Sequence, residues 1–154
     1  MNDNQQGEGH AWTVVVPVKP SRVGKSRLEV PGVALAHAIA LDTVAAAARV
    51  AHVIVVTDDP EVADGARGTG ADVVPDADAG GLDAAIAAGI AAAPPERDRA
   101  ALLGDLPALR SEELAATLAA AAAVDRAVVA DAEGTGSTLV TARAGVPWSS
   151  AFGD

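Results

Sequence analysis

The sequence predicts an α/β fold in which a mostly parallel sheet is covered by helices on both faces. Three observations point to it. Short β-branched apolar runs recur, as at Trp12–Val18 (WTVVVPV) and His52–Thr57 (HVIVVT), and such runs suit strands buried on both faces. Ala/Leu-rich stretches of helical length separate them, and alternating strands and helices are the pattern of a parallel sheet. A chain of 154 residues, half of them apolar, makes one domain with a substantial core.

Residues 1–10 (MNDNQQGEGH) read as a disordered tail, leaving 11–154 for the domain. Trp12–Val18 is the first strand. Pro17, Pro20 and Pro31-Gly32 bound a loop of about a dozen residues, a length that in compact domains is often functional. Val33–Val50 is the first helix and His52–Thr57 the second strand. Asp59 before Pro60 predicts a capped helix start, and Gly68-Thr69-Gly70 its end. Ala71–Val74 is a short third strand, and Gly81–Ala93 a helix stopped by Pro94-Pro95. Arg99–Leu103 is the fourth strand. Ser111 is expected to cap the next helix, with Glu112 and Glu113 favourably placed for its dipole. Asp125–Ala130, a turn at Gly134–Gly136 and Thr138–Thr141 complete six strands.

Aromatic residues are limited to Trp12, Trp148 and Phe152, so the core must be built of small aliphatics and base stacking is not available for single-strand binding. Cysteine is absent, which excludes disulfides, zinc-thiolate sites and thiol nucleophiles. No apolar run spans a membrane and the N-terminus is not signal-like; a cytoplasmic protein without a membrane partner is expected. A net charge of −10 disfavours nucleic acid. Against that acidic background both lysines, Lys19 and Lys25, fall beside Arg22 and Arg27, with no acid between Glu8 and Glu29.

This basic loop directly follows a buried strand. Ligands of parallel sheets bind beyond the carboxyl ends of the strands, where strand order reverses. Four cations there suit a triphosphate, although a charge cluster can also be a solvated loop. Gly24-Lys25-Ser26 invites a P-loop reading, but that motif needs glycine where Lys19 stands. Asp105, after the fourth strand and between Gly104 and Pro107, could hold Mg²⁺ against phosphate oxygens or simply form a turn. Gly134-Thr135-Gly136-Ser137-Thr138 offers amides and hydroxyls to an anionic oxygen. His10, His37 and His52 lack acid partners at metal or triad spacing and read as structural. The absence of a general base fits phosphate chemistry, because a phosphate nucleophile is already ionised.

Taken in order, Val-Pro-Val-Lys-Pro, Gly-Lys-Ser-Arg-Leu, Val-Thr-Asp-Asp, Gly-Leu-Asp-Ala-Ala, Gly-Asp-Leu-Pro-Ala-Leu and Gly-Thr-Gly-Ser-Thr resemble the 2-phospho-L-lactate/phosphoenolpyruvate guanylyltransferases of coenzyme F-420 biosynthesis. The resemblance runs from about Trp12 to Gly153 and implies a Rossmann-like, three-layer nucleotidyltransferase fold. It implies that GTP and a small phosphorylated carboxylic acid, phosphoenolpyruvate or 2-phospho-L-lactate, give a guanosine diphosphate ester and pyrophosphate with Mg²⁺ as cofactor. On it Lys19, Gly24, Lys25, Arg27, Gly81 and Leu82 bind the nucleotide, Lys25 and Asp105 are catalytic, and Asp105 is the metal ligand. Thr138 and Gly153 match the acceptor-binding positions. Ala-rich, Arg-over-Lys composition leans toward phosphoenolpyruvate.

Two departures accompany the match. Asp83 stands where the family usually has Asn, and the family continues beyond Phe152-Gly153-Asp154 with Phe-Gly-x-Gly-Ser, further strands and an Asp-Val-Asp segment. The chain thus reads as C-terminally short, and an uncovered sheet edge would favour self-association. The alternatives to a guanylyltransferase are a truncated, non-catalytic nucleotide-binding remnant and a P-loop-type NTPase.

Overall fold

A computed structural model of the chain describes residues 12–19, 30–76, 81–106, 108–134 and 136–149. The first half of the sheet is built from β1 (Trp12–Pro17), β2 (His52–Val56) and β3 (Asp72–Val74), joined through α1 (Val30–Ala48) and α2 (Pro60–Gly68). The second half follows α3 (Gly81–Ala92) and comprises β4 (Asp98–Leu102), α4 (Ser111–Ala121), β5 (Arg126–Ala130) and β6 (Ser137–Ala142). The six strands lie in the order β3-β2-β1-β4-β6-β5. β3, β2, β1 and β4 are parallel neighbours, and β6 runs antiparallel to both β4 and β5. The mostly parallel α/β sheet expected from the sequence is therefore present.

Alternation along the strands divides the core into two layers. Val14 and Val16 of β1 and Val53 and Val55 of β2 pack with Val44 and Ala47 of α1, Val62 and Ala66 of α2, and Leu114 and Leu118 of α4. On the opposite face Val15, Ile54 and Val56 meet Ala85 of α3. Valine dominates because a strand covered on both faces needs compact β-branched residues. Small residues let α3 approach closely. A Cβ on Gly89 would lie 2.3 Å from Val15 Cγ1 and 2.9 Å from Val56 Cγ2.

Two local expectations are corrected. α1 begins at Val30, so Pro31 and Gly32 belong to its first turn rather than to the loop. Proline is tolerated there because the first helical N–H groups have no intrahelical partner. Ser111 does not cap α4: Arg110 occupies the N-cap without a side-chain bond, and Ser111 Oγ instead donates to Ala46 O at 2.9 Å, tying α4 to α1. Asp59 caps α2 as expected, accepting from the N–H of Glu61 (2.9 Å) and of Val62 (3.2 Å). Asp59→Ala is expected to cost about 1 kcal/mol of stability, read from a urea-unfolding midpoint.

At the amino-terminal end of β4, the Arg99 guanidinium donates to Arg143 O and Val146 O, and Arg126 donates to Pro147 O. These bonds hold the segment after β6. The far edge strand, β5, leaves Val128 62% exposed.

Candidate active site

β1 pairs with both β2 and β4, yet the chain visits β2 and β3 before it crosses to β4. The boundary between β1 and β4 is thus where strand order reverses, and the loops leaving their carboxyl ends bound the expected crevice. They are in close contact. A Cβ on Gly104 would lie 3.2 Å from Pro17 O and 3.3 Å from Val18 Cγ2, so glycine allows the β4 loop to lie against the end of β1. Leu103 N donates to Thr138 O (3.1 Å), bringing the start of β6 to the same rim. On the other side Val18 N bonds Val56 O and Thr57 N bonds Val74 O, which extends the ladder past β1, β2 and β3.

Asp105 follows β4 at this end of the sheet, with an exposed carboxylate that makes no hydrogen bond or ion pair to another described residue. Its backbone is fixed from both sides. Gly104 abuts β1, and the N–H of Leu106 donates to Oγ1 of Thr43 at 3.2 Å. Thr43 lies fully buried in α1, and its hydroxyl proton goes to Ile39 O (2.9 Å). A buried hydroxyl that satisfies a loop amide makes that loop rigid, because leaving the amide unpaired is costly. Nothing in the sequence singled out Thr43, which shares its alanine-rich helix with His37 and Asp42.

Lys19 is on the rim, but its Nζ forms an ion pair with Asp76 Oδ2 at 2.6 Å. Asp76 follows β3 and is nearly buried, and its own N–H donates to Asp58 Oδ1 (3.0 Å). The lysine therefore reaches across the end of β2 toward the loop after β3. Gly81 and Leu82 open α3, beyond that same loop. Gly81 has φ +86°, a conformation glycine adopts without strain, and Leu82 is half-buried. Thr138 is half-buried at the start of β6, and its hydroxyl donates to Val129 O at 3.3 Å. Arg22, Gly24, Lys25, Arg27 and Gly153 lie outside the described residues. The structure thus brings Lys19, Asp105 and Thr138 to one end of the sheet, with Gly81 and Leu82 at the β3 side of that end.

The expectation that the histidines lack acid partners is corrected for the two that are described. His37 Nε2 contacts Asp59 Oδ2 at 2.8 Å, and His37 Nδ1 contacts Glu61 Oε2 at 3.1 Å. His52 Nε2 meets Asp72 Oδ2 at 2.7 Å, while Nδ1 faces Thr13 Oγ1. These contacts tie α1 to α2 and β2 to its neighbours, which is structural work. Tertiary folding supplied partners that spacing could not reveal. Among the described residues no three His, Asp or Glu side chains converge on a metal position, and no helix is long and apolar enough to cross a membrane. A surface groove of about 580 Å³ between α1 and α4, lined by Asp42, Arg49 and Arg110, includes none of the crevice residues.

The MobA-like NTP transferase domain matches residues 19–150. The phosphoenolpyruvate guanylyltransferase of Thermomonospora curvata is 52% identical over 152 residues, covering 92% of this chain and 67% of that protein. This chain belongs to the phosphoenolpyruvate guanylyltransferase family. The enzymes of that name from Salinispora arenicola and Streptomyces coelicolor are 49% and 50% identical, and the match covers 71% and 72% of their lengths. Among solved structures, a candidate nucleotide-diphospho-sugar transferase from Desulfovibrio desulfuricans G20 superimposes with a TM-score of 0.66 at 16% identity. That match covers 87% of this chain and 64% of the other. A nucleotidyl transferase from Methanothermobacter thermautotrophicus gives 0.56 at 21% identity, over 84% and 70% of the two chains. Both show the Rossmann-like nucleotidyltransferase fold. The chain spans between 64% and 72% of the length of these relatives. Family membership replaces the P-loop-type NTPase reading that Gly24-Lys25-Ser26 invited; those three residues lie outside the described ones.

Proposed function

We propose that this chain transfers GMP from GTP to phosphoenolpyruvate and releases pyrophosphate. The observation that carries the proposal is the position of Asp105, a carboxylate that bonds no other described residue, held by Gly104 and Thr43 at the carboxyl ends of β1 and β4 where strand order reverses. The acceptor's phosphate oxygen attacks the α-phosphorus of GTP; the new P–O bond forms as the bond to the β-phosphate oxygen breaks. The nucleophile is already anionic, so no general base is required. Rate then depends on alignment and on neutralising charge at phosphorus.

The donor set fits Mg²⁺, which takes one or two carboxylates plus substrate phosphates rather than a protein cage, and Asp105 would hold it. When bound, the ion neutralises charge on the phosphate oxygens. Lys19, Lys25 and Arg27 supply the remaining positive charge on this reading, Gly24, Gly81 and Leu82 line the nucleotide, and Thr138 and Gly153 meet the acceptor. Phosphoenolpyruvate is favoured over 2-phospho-L-lactate by the names of the relatives near 50% identity; a role in coenzyme F-420 biosynthesis is what the motif resemblance implies.

The deciding experiment is pyrophosphate release from GTP with Mg²⁺, with and without each acceptor. Release that requires phosphoenolpyruvate and exceeds that with 2-phospho-L-lactate is expected. Acceptor-independent phosphate release would point to a hydrolase. GTP binding without release from folded protein would make the chain a nucleotide-binding remnant.

A further inference from the structure

Lys19 is 41% exposed in its side chain, whereas Asp76 is 6% exposed. The pair therefore has an open side and a closed side. The closed side is built first: Asp58, after β2, accepts the N–H of Asp76, fixing the turn after β3 that presents the carboxylate. Asp76 Oδ2 then takes one N–H of the Lys19 ammonium at 2.6 Å. An ammonium has three donors on a flexible stem, so two N–H groups remain for other oxygens while the nitrogen stays fixed. Three consecutive parallel strands, β1, β2 and β3, are joined through this contact at the end of the sheet where the crevice lies.

We propose that Asp76 is a positioning residue for Lys19, holding the ammonium in place before nucleotide phosphate oxygens arrive. The inference rests on the transferase reading of the same site. Ordering a long side chain in advance removes that cost from the binding step and from the approach to the transition state. Asp58 supports Asp76 and acts through it. A purely structural role, in which Lys19 only neutralises a buried carboxylate, makes a different prediction: the pair would couple in stability and not in turnover.

The test is a double-mutant cycle of Asp76→Asn and Lys19→Met, with kcat, KM for GTP and the melting temperature measured for all four proteins. Asp76→Asn keeps the shape of the side chain and removes its charge. It is expected to lower kcat by about tenfold through lost alignment. KM for GTP should change by no more than about twofold, because the lost pre-ordering of Lys19 and the removal of a negative charge from the rim act in opposite directions. In the Lys19→Met background the same change should alter kcat by less than about twofold, since residues acting as a unit are non-additive. Independent, multiplying effects on kcat, or coupling confined to the melting temperature, would overturn the inference. Asp58→Ala, at an exposed side chain, provides a second variant; its smaller loss of kcat should likewise vanish in the Lys19→Met background. If the wild-type chain binds GTP but shows no turnover, the transferase reading fails. The same cycle run on GTP affinity by calorimetry then decides separately whether Asp76 acts through Lys19.

Discussion

Asp105→Asn is expected to lower guanylyl transfer by about 10²–10³-fold, the usual loss when one preorganised charge-stabilising group is removed. Stability should change by no more than about 0.5 kcal/mol, because surface substitutions away from buried networks rarely do more. The asymmetry follows from the environment of the residue. Its side chain is exposed and makes no bond to another described residue, so folding does not depend on the charge. Its backbone is held by the Gly104 contact with β1 and the Leu106 bond to Thr43, and neither involves the carboxylate. Asparagine keeps the size and one acceptor oxygen but loses the negative charge that a divalent cation requires. The Mg²⁺ concentration for half-maximal rate should therefore rise with the loss of kcat. A turnover number within threefold of wild type, in protein with an unchanged melting temperature, would remove Asp105 from the reaction.

Features with local causes were legible in the sequence. The runs at Trp12–Val18 and His52–Thr57 read as strands because residues buried on both faces leave an uninterrupted β-branched signature. Asp59-Pro60 read as a helix start because a cap and its amides are neighbours in the chain. Asp105 and Lys19 could be assigned to one crevice because both follow strands of a parallel sheet, and chain direction alone then puts them at one end. What escaped was set by contacts between distant residues. Asp76 finds Lys19 from 57 residues away, and Thr43 holds Leu106 from 63. Neither residue belongs to a local pattern. Ser111 was misread because its hydroxyl has a tertiary acceptor, Ala46 O, that outcompeted the cap position. The antiparallel placement of β6 between β4 and β5 was also invisible, since alternating strands and helices fix the elements but not the order of the last two.

The second large effect concerns packing, and two helical glycines separate the forces involved. Glycine inside a helix costs about 0.5–1 kcal/mol relative to alanine, so either Gly→Ala change should stabilise the chain if space allowed. At Gly89 it does not. The new Cβ would fall 2.3 Å from Val15 Cγ1 and 2.9 Å from Val56 Cγ2, and both valines are fully buried in strands whose ladder bonds fix their backbones. Relief requires α3 to lift from the sheet, and overpacking of this kind costs about 1–3 kcal/mol, which outweighs the propensity gain. Gly89→Ala is therefore expected to destabilise by about 1–2 kcal/mol, and Gly89→Val by more, since its γ-methyl groups enter the same space. At Gly65 the nearest atoms are the Leu41 Cδ methyls at 2.6 and 2.8 Å, the free end of a half-buried side chain that can change rotamer. There the propensity term should survive, and Gly65→Ala is expected to be neutral or to stabilise by up to about 0.5 kcal/mol. Urea-unfolding midpoints at constant m-value measure both. Equal effects at the two positions would mean that the close contact of α3 with β1 and β2 is not the tight packing that the Gly89 geometry describes.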